Sequence, residues 1–178
     1  MRALLALGDT ATASRTARNL LAGNPGAPDA YLIAGDTELA RRNDAAALTL
    51  YQTAASIRFG EDELLRLDRT MRALGRSREA DLVVLAYAVE NPQNLVAARL
   101  LANIRARGGQ WPQSAAMLDW VGARSGWRDP GLLADLAFAR LRQGRKAEAR
   151  EIALRASKLQ PANASVRQIV RLTTTPGR

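Results

Sequence analysis

The chain has 178 residues, of which 47% are apolar, 24% charged and only 4% aromatic, so its core must be built from small aliphatic side chains rather than rings. Cysteine is absent, which excludes disulfides, and histidine is absent, which removes the commonest general base and the commonest metal ligand. The net charge of +9 is uneven, with 11 basic against 12 acidic residues in 1–90 and 15 against 5 in 91–178. Such a balance fits an acidic partner (nucleic acid, anionic lipid or an acidic peptide), but is met more simply by arginines spread over solvated helix faces.

In chain order, residues 1–7 read as the tail of a helix, far short of the ~20 apolar residues that cross a membrane. A single Arg before so short an apolar run does not make a signal peptide either. A start inside a helical unit suggests a fragment of a longer protein, and the compartment is left open. A first complete helix is expected over 9–22, capped by Asp9 or Thr10 and broken by Gly23-Asn24-Pro25-Gly26. Helices over 30–41 and 45–58 follow, joined at Arg42-Asn43. Glu61-Asp62-Glu63 opens the next at the end where carboxylates favour the helix dipole, giving 64–74 and, after Gly75, 77–89, closed by Asn91-Pro92. Residues 95–107 and 112–123 form the next pair around Gly108-Gly109, which is no phosphate loop because Gln110-Trp111-Pro112 follows it. Asp129-Pro130 caps a segment whose apolar periodicity runs from Leu133 to Leu141. After Gly144 comes 146–159, stopped by Pro161. Asn163 caps a last helix over 164–172, and 173–178 is expected to be a disordered tail.

These elements repeat. Turn glycines at Gly8, Gly75, Gly109 and Gly144 are 67, 34 and 35 residues apart, and Pro25, Pro92 and Pro161 are 67 and 69 apart. Both series give a period near 34, with the missing turn at Arg42-Asn43. In that register the second helix of each pair carries a small residue at Ala13, Ala47, Ala80, Ser114 and Ala149. Four residues on stand Ala17, Tyr51, Val84, Leu118 and Ala153. The first helix carries Gly35, Asp68, Ala102 and Ala137, and the closing position reads Pro25, Phe59, Pro92, Gly126 and Pro161. Asp68 would need a partner if buried there. At a later small position Leu20, Tyr87 and Val121 replace alanine, which moves the close contact to Leu21, Ala88 or Gly122.

The pattern resembles the tetratricopeptide repeat (TPR) family over nearly the whole chain. The resemblance implies an all-α, right-handed superhelical solenoid of antiparallel helix pairs in one domain over 1–172. Its repeats would be 1–26, 27–60, 61–93, 94–128 and 129–162, followed by a capping helix over 163–172. It also implies a concave groove lined by the first helices, whose positions here include Leu32, Asp36, Arg66, Arg69, Arg72, Arg99, Asn103, Arg107, Phe138 and Arg142. Arg99 and Asn103 stand where carboxylate-clamp members of the family carry Lys and Asn, but Gly131 and Asp135 depart from that clamp.

By spacing alone Arg66, Arg69 and Arg72 share a helix face, and Asp62 and Asp68 stand four residues before Arg66 and Arg72, so ion pairs within the helix compete with any guanidinium role toward a partner. The resemblance also implies that Trp111 packs between hairpins and that Trp120 points outward, where it would serve as a surface anchor. No nucleophile, base or metal cluster is assembled, so no enzyme and no cofactor is expected. The family resemblance implies a protein–protein interaction scaffold that takes a protein or peptide segment in a basic groove. In their alanine- and arginine-rich style, bacterial secretion, pilus-assembly and polysaccharide-export TPR proteins look similar. The alternative is a helical-repeat module that associates with nucleic acid or another polyanion. The oligomeric state is open.

Overall fold

The computed structural model describes residues 9–175. Among them are ten α-helices and no strand: α1 Thr10–Gly23, α2 Pro28–Ala40, α3 Asp44–Ile57, α4 Glu61–Ala73, α5 Ser77–Glu90, α6 Leu95–Arg107, α7 Trp111–Ser125, α8 Pro130–Arg142, α9 Lys146–Leu159 and α10 Ala164–Thr174. The expected helix tail at 1–7 and its turn at Gly8 lie outside the described residues. Helix α10 passes the expected boundary at 172 because Thr173 is buried and its hydroxyl donates to the Ile169 carbonyl at 2.8 Å.

Local chemistry sets the helix starts. The side chains of Asp9, Asn43, Asn94, Asp129 and Asn163 each accept a backbone N–H of the first turn, at 3.0, 3.4, 2.8, 2.7 and 3.2 Å respectively. At α4 the cap is Gly60, whose N–H donates to the Glu63 carboxylate at 2.9 Å. The turns inside the hairpins at Gly75, Gly109 and Gly144 have φ of 76, 73 and 80°, the left-handed conformation that glycine adopts without strain. Arg42 occupies the same turn with φ 61°. A side chain there is strained by about 1–2 kcal/mol, part of which glycine returns as chain entropy. Arg42→Gly is therefore expected to stabilise by about 0.5–1 kcal/mol, read as a higher midpoint in thermal melting.

The chain forms two compact units, one ending at Tyr87 and the other beginning at Ala88, so the boundary falls within α5. Each unit has its own core. In the first, α2 pairs with α3, α1 packs on α2 and α3 on α4. Leu32, Leu48, Tyr51, Leu67 and Met71 form its core around Ala47, Ala54 and Ala80. In the second, α6 pairs with α7 and α8 with α9, while α10 covers α8 and α9. One cluster there holds Leu118, Leu132 and Leu136, and another holds Leu133, Ala153, Ala156, Val166 and Ile169.

All five small positions of the second helices are buried, with Ala13, Ala47, Ala80 and Ala149 fully closed off and Ser114 nearly so. So are the positions four residues on, from Ala17 to Ala153. A methyl-sized side chain lets neighbouring helices approach, and a larger one must displace backbone. Ala149→Leu should thus cost about 1–3 kcal/mol through overpacking; an unchanged denaturation midpoint would contradict the closed seam. Asp68, also buried, has the partner it requires, since Arg72 donates to it at 2.6 Å.

Candidate functional site

In the N-terminal unit the expected arginines of α4 divide. Arg66 grips Asp36 of α2 with two parallel hydrogen bonds, Nε at 2.9 Å and Nη2 at 3.0 Å, and reaches Asp62 on its own helix at 3.3 Å. The Asp36 carboxylate holds its pKa above the ordinary arginine value. Asp36 also accepts the Tyr51 hydroxyl at 2.8 Å; burial, then that bond, pushes the phenol up. Arg72 bridges Asp68 and Asp81 of α5 at 2.6 and 2.8 Å. Both i to i+4 pairs anticipated from spacing are formed. Arg69 is exposed and has no ion-pair partner among the described residues. It borders a cavity of about 320 Å³ with Asp36, Tyr51, Arg66 and Thr70. Leu32, placed in the groove by its repeat position, is buried in the core instead.

In the C-terminal unit Arg99 of α6 is closed by the chain itself. Its Nη1 donates to Asp129, and its Nη2 and Nε donate to Asp135 of α8 at 2.9 and 3.3 Å. Burial raises the Asp135 pKa more than Arg99 lowers it. Burial also acts upward on Asp129, but the Leu132 N–H and Arg99 outweigh it and hold that carboxyl below the usual range. The residue that breaks the carboxylate-clamp pattern, Asp135, is thus the one that occupies the clamp-position cation.

Asn103, Asp135, Phe138, Trp111, Gln168 and Leu172 line a cavity of about 250 Å³ between α6, α8 and α10. Trp111 is not enclosed core: it is half-buried, meets Phe138 edge-on with centroids 5.7 Å apart, and carries the Arg142 guanidinium 4.8 Å from its ring centre. Phe138 is 37% exposed, and Arg107 and Arg142 are exposed on the last turns of α6 and α8. Of the residues expected to line a groove, Asn103 and Phe138 therefore meet at one cavity, with Arg142 stacked on its tryptophan wall. Sequence reasoning missed Gln168 and Leu172, which come from α10; the strong amphipathicity of that helix was the available signal.

Trp120, expected to point outward, is half-buried. It carries Arg124 at 4.1 Å and walls a different, largely apolar groove across α6. Among the described residues no group of three or more acidic side chains is arranged to hold a metal ion, and no helix is long and apolar enough to cross a membrane.

No protein-family model matches the sequence, and no curated protein matches it. Solved structures do resemble it. A chain of the APC/C hetero-tetramer Cut9–Hcn1 superposes with a TM-score of 0.77 at 15% identity, over 96% of this chain and 34% of that one. YrrB, described as a TPR protein with an unusual peptide-binding site, gives 0.66 at 14% identity over 94% of this chain and 86% of its own. A thermophilic TPR protein of Thermus thermophilus gives 0.69 at 21% identity over 96% and 93%. The chain spans about a third of the length of the Cut9–Hcn1 chain. What is shared at these identities is architecture, and with ten helices among the described residues, in pairs that recur at intervals near 34 residues with alanines at the seams, the chain has the fold of the tetratricopeptide-repeat proteins.

Proposed function

We propose that the chain is a protein-interaction scaffold whose C-terminal unit holds an extended or helical segment of a partner at the cavity between α6, α8 and α10. The observation that carries this reading is the convergence there of two aromatic rings, Trp111 and Phe138, with the amides of Asn103 and Gln168 and a guanidinium from Arg142. Rings accept an apolar side chain, amides satisfy a peptide backbone, and a cation selects acidic neighbours. The peptide-binding site ascribed to the similar YrrB supports the same use of the fold. Within this unit Arg142 is the exposed cation that favours an acidic segment, whereas Arg99 spends its hydrogen bonds on the chain's own carboxylates and positions helices in this reading; Arg66 and Arg72 do the same inside the N-terminal unit. An alanine- and arginine-rich scaffold of this kind suits a part in a larger bacterial-type assembly, secretion or export protein.

Association with nucleic acid or another polyanion is the second reading. It rests on the excess of 15 basic over 5 acidic residues in 91–178. The experiment is selection of binding peptides from a random displayed library on the intact chain, repeated with Phe138→Ala and Arg142→Glu. Selected peptides should be acidic and carry an apolar anchor, and each substitution should weaken them roughly tenfold. Unchanged binding by both variants would remove this cavity from the account. Random oligonucleotides that stay bound above about 0.2 M salt would favour the second reading, because purely non-specific charge pairing is lost by then.

A further inference from the structure

The repeats differ in what their connecting loops do with the groove left between successive second helices. In the N-terminal unit Phe59, from the loop after α3, packs against the core and meets Tyr87 edge-on at 5.1 Å. In the C-terminal unit Trp127, from the loop after α7, lies directly on Gly122: a β-carbon there would be 2.1 Å from the indole. That indole packs with Leu133, Leu136 and Ile152, and Arg155 stands 5.9 Å above its ring. One repeat earlier in the same unit the loop reads Asn91-Pro92-Gln93, with no aromatic residue, and Gln93 is exposed. The corresponding groove is open, about 340 Å³, and walled by Ala88, Ala98, Leu101, Met117 and Trp120. These residues stand 34 or 35 positions before Gly122, Leu133, Leu136, Ile152 and Arg155, the residues that surround the indole of Trp127.

We infer that this open groove is a second contact site, distinct from the cavity at Trp111, and that it takes an aromatic side chain of a partner protein lying next to a carboxylate. The chain itself shows the occupant such a groove accepts: an indole wedged between two second helices over the first helix of the repeat. The carboxylate follows from Arg124. Its guanidinium carbon stands over the Trp120 ring at 4.1 Å from the centroid, a contact that uses none of its N–H donors on an acceptor, and among the described residues it has no acidic partner. The surrounding half of the sequence is strongly basic, so an acidic partner segment is also favoured at long range. The groove shares none of its lining residues with the cavity between α6, α8 and α10.

The test uses the intact chain, nitrogen-15 labelled, titrated with N-acetyl-tryptophan and separately with N-acetyl-tryptophanamide. Ligands of this size should bind at about 1–10 mM, with shifts at the Trp120 indole N–H and the amides of Leu101 and Met117. The free acid should bind roughly threefold more tightly than the amide, in line with an exposed ion pair, and Arg124→Gln should erase that difference. Ala98→Phe, which fills the groove from its floor, should abolish both titrations; Ala116→Phe, at an exposed rim position, serves the same purpose if the first variant does not fold. Shifts confined to the Trp111 cavity, or binding that persists in a folded filled-groove variant, would overturn the inference. So would sedimentation showing a dimer that Ala98→Phe dissolves, since a second copy would then be the occupant.

Discussion

Gly35→Ala should lower stability by about 2–3 kcal/mol, although alanine is the better helix former by about 1 kcal/mol. A β-carbon at this position of α2 would stand 2.3 Å from Tyr51 Cε1 and 2.7 Å from Cδ1. The ring has nowhere to go, because Tyr51 is wholly buried and its hydroxyl is tied to Asp36 at 2.8 Å, which is itself gripped by Arg66. Either the helices separate or that network breaks. Thermal melting should register a drop of several degrees. The contact also makes a coupled pair: Tyr51→Leu should cost less in the Gly35→Ala background than alone, by more than about 1 kcal/mol. A neutral Gly35→Ala, or strictly additive variants, would contradict the close approach.

Trp127→Ala is expected to cost about 3 kcal/mol, the low end for loss of a large aromatic because the ring is only part-buried. The indole covers Gly122 and joins two clusters, one with Leu132 and Leu136, the other with Leu133 and Ala153. Its removal leaves a groove of the kind already open beside Trp120. Added indole should therefore raise the melting midpoint of the variant more than that of the native chain, by mass action on the folded state. Equal shifts in both proteins would mean that the vacated space closes by repacking.

Much of this architecture was legible without coordinates. Turn glycines and closing prolines report the period because only certain residues tolerate left-handed or helix-ending backbone, and those constraints act within a few residues. Seam alanines are similarly plain, since spacing of three and four places them on one face. The caps at Asp9, Asn43, Asp129 and Asn163 follow from the same local chemistry, which holds also for Asn94, a cap the sequence reading did not name. At the candidate site less was legible. Arg66 and Arg99 looked available, yet their strongest partners, Asp36 and Asp135, lie 30 and 36 residues away, one repeat along the chain. The period was itself the missed signal, because residues one repeat apart on first helices become neighbours when hairpins pack.

By itself, then, the order of residues determined which segments are helical, roughly where each begins and ends, and which faces are too small to stand apart, because these are set by interactions between residues close in the chain. Only packing decided which guanidiniums are spent on internal carboxylates, that Trp111 walls a cavity rather than filling the core, and that Trp127 plugs one groove while Gln93 leaves its counterpart open. Those outcomes depend on which side chains meet across a distance of one repeat, and no local preference encodes that.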